Sequence, residues 1–61
     1  MYFYKVMLTN GKQIDIVADA IASIRKYGKR YLMFYKHDET DDEVIAVAQI
    51  KAKYIVGWWI V

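Results

Sequence analysis

The 61-residue chain contains no cysteine and no proline, and only one histidine, His37. Without cysteine there is no disulfide and no thiolate zinc site, and a single imidazole cannot build a histidine metal cluster. The missing cysteine also fits a reducing cytoplasm, which is the expected compartment. Long apolar runs are absent too. A bilayer span needs about 20 apolar residues, and the uncharged tail "YIVGWWIV", residues 54–61, has eight. No membrane association is expected. Nor is a secretory signal, because Lys5 interrupts the first apolar run and no small-residue cleavage site follows. Catalytic groups are sparse: Ser23 and His37 are the only Ser/His pair, and there is no glycine-rich phosphate loop. Nucleophilic catalysis needs a nucleophile held by an oriented base. A non-enzymatic protein without metal or cofactor is expected.

Apolar and aromatic residues are plentiful by contrast, at 57% and 16% of the chain. One domain over residues 1–61 is the most this length supports. A domain of this size buries only about 60% of the surface its unfolded chain exposes. Its core alone rarely supplies more than about 3–5 kcal/mol. With disulfides and metals excluded, oligomerisation is the remaining stabilising device, so a homodimer or higher oligomer is expected.

Local patterns point to an all-β chain. Asn10-Gly11 lies between two β-rich runs and predicts a hairpin with a type I′ turn, since both residues tolerate positive φ. The flanking strands are expected over about residues 2–9 and 12–18. Period-2 alternation groups Tyr2, Tyr4, Val6, Leu8, Ile14 and Ile16 as core-facing, with Phe3, Lys5, Met7 and Thr9 on the opposite face. The stretch 19–27 supports two readings. Asp19 as a cap, Ile21 and Ile24 at helical spacing and Gly28 as a stop describe a short helix. A strand entering a turn at Tyr27-Gly28 describes a second hairpin. "RYLMFYK" (30–36) reads as a central strand buried on both faces. "VIAVAQI" (44–50) reads as a strand with Val44, Ala46, Ala48 and Ile50 on one side. Gly57 marks a bulge, a bend or a close backbone approach. Four to six short strands, in a small antiparallel barrel or a curled sheet, are expected.

"VMLTNGKQIDIVAD", "LMFYK" and "VIAVAQI" together resemble the pattern of small phage- and prophage-encoded β proteins of bacteria, which are similar in outline to Sm-like or SH3-like barrels. The resemblance implies an accessory protein that binds or inhibits a host protein or counters host defence. It carries no site residues with it.

Charge is unevenly placed. Asp38, Glu39, Asp41, Asp42 and Glu43 hold five of the seven acids, and outside them nine cations face only Asp15 and Asp19. The acidic run lacks the spacing and glycine of an EF-hand. It reads as a solvated loop, with Asp38, Glu39, Asp41 and Asp42 as candidate contacts to a protein partner by charge complementarity. Arg25, Lys26, Lys29, Arg30 and Tyr31 form a basic, aromatic turn. Cations neutralise phosphates and aromatic faces stack on unpaired bases, so a nucleic-acid interface there is the alternative function. The leading expectation is a small interaction module that self-associates and binds another protein. Tyr54, Trp58, Trp59 and Ile60 are the self-association candidates, because aromatic residues dominate interface energetics. Adjacent strand residues point to opposite faces, so one tryptophan should face its own core and the other outward.

Overall fold

The computed structural model describes residues 1–61. Six strands are present: β1 (Tyr2–Leu8), β2 (Gln13–Ala18), β3 (Ala20–Lys26), β4 (Lys29–Asp38), β5 (Glu43–Lys51) and β6 (Ile55–Ile60), with one 3-10 turn at Ala52–Tyr54 before β6. They form two antiparallel three-stranded sheets, ordered β2-β1-β6 and β3-β4-β5. The domain is all-β. It is an open, curled arrangement, and the barrel is not closed. Residues 19–27 hold no helix: of the two readings open at that stretch, the strand and hairpin is the one the chain adopts. No helix is long and apolar enough to cross a membrane.

Asp19 is the hinge between the sheets. Ala18 still pairs with Tyr2 on β1, while the Asp19 amide donates to the Tyr35 carbonyl on β4 at 2.7 Å. One long strand thus serves the first sheet up to residue 18 and the second from residue 19. Ala18 is fully buried at this crossing, where a larger side chain would hold the sheets apart.

Three hairpins form: β1–β2 and β3–β4 turn where glycine permits it, with different turns, and β4–β5 turns through residues 39–42 with Asp42 at φ 54°. The Gly11 amide donates to the Leu8 carbonyl at 3.0 Å, and the Leu8 amide to the Lys12 carbonyl at 2.8 Å. Gly11 has φ +85°, whereas Asn10 is not among the positive-φ residues. The loop is therefore three residues, a turn through Thr9 and Asn10 followed by a left-handed glycine. The expected type I′ turn is not formed. Asn10 instead uses its side chain, accepting the Lys12 amide at Oδ1 (2.9 Å). The two-residue turn with positive φ at both positions occurs at Tyr27 (φ 53°) and Gly28 (φ 73°), between the paired Lys26 and Lys29.

The core is Tyr4, Val6, Ala18 and Phe34, with Leu8, Ile14, Ile16, Ile21, Leu32, Ala48, Ile50 and Ile55 packed around it. Most of the alternation in β1 and β2 is realised. Tyr2 departs from it, being 49% exposed beyond the cover of the second sheet. β4 is central as expected, but its burial is one-sided: Phe34 is buried, and Tyr31, Met33 and Tyr35 on the other face are half-buried. Two bulges shift the pairing. Leu8 pairs with Ile55 and Met7 with Gly57, leaving Val56 extra. Phe34 pairs with Ala48 and Tyr35 with Ala46, leaving Val47 extra. A bulge flips side-chain parity, so Val44 and Ala46 lie on the face opposite Ala48 and Ile50, correcting the single-face grouping. The same effect lets Ile55 and Trp58 share the core face. Gly57 stands beside the β6 bulge.

The molecule is thin. Its principal extents are 37 × 30 × 12 Å and its radius of gyration is 12.0 Å, against about 10.5 Å for a compact chain of this length. Its surface of 4485 Å² exceeds the roughly 4100 Å² usual for this mass.

Candidate interaction surfaces

The two tryptophans point to opposite sides of β6. Trp58 pairs with Val6 and Trp59 with Lys5, and paired residues share a face. The Trp58 ring meets Tyr4 edge-on at 5.7 Å. Trp59 lies on the outer face of the first sheet. There it stands opposite Lys5, which pairs in turn with Asp15, and Phe3, Val17 and the half-buried Met7 flank that charged pair on the same face, with Gly57 between Trp59 and the bulge. Phe3 and Trp59 are 58% and 43% exposed. The four self-association candidates therefore do not form one patch. Ile60 pairs with Tyr4 on the core side. Tyr54 lies in the 3-10 turn, its carbonyl accepting the Thr9 amide at 2.9 Å. Phe3 and Val17 escaped the sequence reading because their alternation marked them as solvent-facing.

The free edges differ in charge. β2 carries Asp15, β3 carries Arg25 and Lys26, and β5 carries Glu43 and Lys51. β6 carries none. Edge charges are the ordinary guard against strand addition, and β6 is the edge that lacks them.

The basic turn gathers more cations than the sequence suggested. Arg25 stands opposite Arg30, and Lys26 opposite Lys29. The β4–β5 register brings Lys51 opposite Tyr31, and Lys53 follows in the 3-10 turn. Lys29, Arg30, Lys51, Ala52 and Lys53 line an open cleft of about 260 Å³. The Met1–Asp19 ion pair and the His37–Asp42 contact involve no lysine or arginine. Tyr27, at the hairpin tip, is 90% exposed, with Lys26 Nζ 5.9 Å from its ring centroid. Lys53 Nζ lies 5.1 Å from the Tyr54 ring centroid.

The acidic loop lies at the other end of β4, about 30 Å away for ten extended residues. Two of its four candidate contacts have local roles. Asp38 Oδ1 accepts the Thr40 amide at 2.9 Å. Asp42, at φ 54°, places Oδ1 3.0 Å from His37 Nε2. Glu39 and Asp41 are exposed and make no such bond. No three acidic or histidine side chains converge on a common point. Nearby, an open bowl of about 540 Å³ is lined by Met1, Asp19, Lys36, His37, Asp38, Glu39 and Ile45. Asp19 organises it: Oδ2 accepts the His37 amide at 2.7 Å, and the Met1 ammonium lies 3.3 Å from Oδ1. The amide bond, the ammonium and His37 hold the Asp19 carboxyl below its ordinary range, and desolvation opposes them.

Compared with family models, with characterised proteins and with solved structures, the chain matches none.

Proposed function

We propose that the protein is a non-enzymatic interaction module that self-associates through β6 and presents its acidic loop to another protein. The uncharged β6 edge carries the reading. A second copy is the occupant that fits, because an uncharged edge can meet itself across a twofold axis. The same approach at the basic end of β3 would bring Arg25 and Lys26 against the same cations of the copy. Antiparallel β6–β6 pairing would join two outer faces and bring the Trp59 rings near each other. Area supports this. Fully buried aromatic side chains hide about 150–250 Å² each, so the exposed parts of Phe3 and Trp59 on the outer face amount to roughly 200 Å², and that of Trp58 on the core side of the same edge to roughly 100 Å². Val56, Ile60 and Val61, at 69%, 51% and 72% exposure, add to it, toward the roughly 800 Å² per partner of a stable interface. Surplus surface and a thin core favour the same reading.

For the outside partner, Glu39 and Asp41 are the carboxylates free to engage a basic protein surface, and Asp38 and Asp42 shape the loop that presents them. A phage-type accessory role in the cytoplasm, inhibiting a host protein, is the biological setting that the sequence resemblance supports. Sedimentation velocity tests self-association. The wild type is expected to run as a dimer or larger, and Trp59→Lys as a folded monomer. A wild-type monomer at high concentration, or an oligomer untouched by Trp59→Lys, overturns the proposal.

A further inference from the structure

The geometry points to a second binding site at the other end of the second sheet: a cationic cleft, lined by Lys29, Arg30, Lys51 and Lys53, with Tyr27 at the adjoining hairpin tip, that takes the phosphates and bases of single-stranded nucleic acid. This site is independent of β6 self-association.

Six of the nine cations collect at this end of the sheet: Lys29, Arg30, Lys51 and Lys53 line the cleft, and Arg25 and Lys26 stand opposite Arg30 and Lys29 on β3. Like charges directly opposite across a sheet are destabilising, yet two such pairs occupy the last two rungs of this hairpin, Arg25 with Arg30 on one face and Lys26 with Lys29 on the other. No carboxylate offsets them. A fold that needed only solubility would intersperse acids, as β1 and β2 do where Lys5 pairs with Asp15. An arrangement that costs stability and exposes uncompensated charge around a cleft is complementary to a polyanion. Closely spaced phosphates would also release counterions on binding, which is a favourable term.

The aromatic component selects the single-stranded form. Tyr27 is held almost fully exposed at φ 53°, a backbone conformation that is uncommon for a bulky residue. Asparagine would suit this turn better. A tyrosine kept there at conformational cost, between Lys26 and the Lys29 side of the cleft, has a face free to stack on an unpaired base. Tyr54, next to the cleft-lining Lys53 and with its ring centroid 5.1 Å from that Nζ, offers a second ring. Duplex bases are stacked on each other and would leave both rings unused.

Fluorescence anisotropy with a labelled oligothymidylate of about 15 nucleotides tests the site, alongside a duplex of equal length. If four cations engage phosphates, raising salt from about 50 to 200 mM should weaken binding about 50-fold. Lys51→Glu with Lys53→Glu should weaken it about tenfold or more at the lower salt. Tyr27→Ala should weaken it about fivefold or more. Lys36→Glu, which lowers the charge at the acidic end, should change it less than twofold. Circular dichroism verifies that each variant is folded, and Lys51→Ala with Lys53→Ala provides a milder pair if the glutamates disturb the 3-10 turn. No binding at low salt overturns the inference. So does equal loss from Lys36→Glu, duplex binding as tight as single-strand binding, or displacement by polyglutamate as effective as by the unlabelled oligonucleotide.

Discussion

The ring of Phe34 meets the ring of Tyr4 edge-on, with centroids 5.4 Å apart and planes at 69°. This contact joins the two sheets, because Tyr4 is on β1 and Phe34 on β4. Tyr4 also meets Tyr2 at 6.2 Å and Trp58 at 5.7 Å, so one ring holds together four aromatic residues. Edge-to-face pairs add about 0.5–1.5 kcal/mol beyond the area they bury. Truncating a buried aromatic to alanine costs about 3–5 kcal/mol, as much as a core of this size supplies. Tyr4→Ala should therefore be unfolded at 25 °C by circular dichroism. No side-chain hydrogen bond uses the Tyr4 hydroxyl, and no buried polar atom is left without a partner, so that hydroxyl meets solvent. Tyr4→Phe should match the wild type within about 0.5 kcal/mol in urea melts, the range of a change that removes no buried interaction. A large loss for Tyr4→Phe would contradict this account of the core.

Tyr27 presents the opposite case, a residue whose removal should stabilise the fold. Left-handed backbone costs a side chain roughly 1–2 kcal/mol, and Asn-Gly is the preferred pair for a turn with positive φ at both positions. Tyr27→Asn should gain about 0.5–1 kcal/mol, which for a domain of this size raises the melting temperature by about 2–8 °C. The same substitution removes the stacking face and should weaken oligonucleotide binding. A thermal melt and a titration on one variant thus read stability and binding in opposite directions. A lower melting temperature would show that the Tyr27 ring contributes to the fold.

Asp19 makes stability depend on acid. Its carboxyl is held below its ordinary range in the folded protein, first by the His37 amide. In the unfolded chain it regains the ordinary value, so between the two values the unfolded state binds more protons. Stability from this group is full above the ordinary carboxylate range and is lost as pH falls through the depressed folded value. Asp19→Asn retains an oxygen to accept the His37 amide but removes the charge. Urea midpoints measured from pH 5 down to pH 2.5 should fall less steeply for Asp19→Asn than for the wild type, with the wild type the more stable at neutral pH. Parallel pH profiles would assign the acid sensitivity to other groups.

Much of the fold was legible in local chemistry, and what was not depended on register. Gly11 marked the first hairpin, because few other residues take positive φ freely, whereas Gly28 suited a helix stop and a hairpin turn equally. The type of the first turn was hidden, because Asn10 has two ways to serve a turn and uses its side chain. β3 was ambiguous because only Ile21 and Ile24 are even half-buried along it. A strand that runs off the core has no reason to alternate. The bulges at Val47 and Val56 were invisible: one extra residue leaves no trace in composition, yet it exchanges faces for everything beyond it. The cationic end shows the same limit. Arg25, Lys26, Lys29 and Arg30 are adjacent in sequence, whereas Lys51 and Lys53 join them only through the pairing of β5 with β4. Of the tail, the opposed tryptophans followed from strand geometry. The residues they face, Val6 for Trp58 and Lys5 for Trp59, required knowing that β6 lies against β1.

Val56 offers the sharpest test of the β6 edge. It is the bulged residue, unpaired with β1 and 69% exposed, so a lysine there displaces no native packing. Surface substitutions of that kind usually change stability by less than about 0.5 kcal/mol. A charge on a free edge nevertheless opposes strand addition. In a self-associating protein the melting temperature rises with concentration, because the assembly binds only the folded state. The wild type should show that rise, whereas Val56→Lys should melt at one temperature across the same dilution series. Val44→Lys, on the exposed end of β5, is the matched control and should retain the wild-type concentration dependence. If Val56→Lys and Val44→Lys behave alike, the association surface is not β6. The half-buried row Tyr31, Met33 and Tyr35, flanked by Ala20, Ala22 and Ala46 on the outer face of the second sheet, then becomes the surface to substitute next.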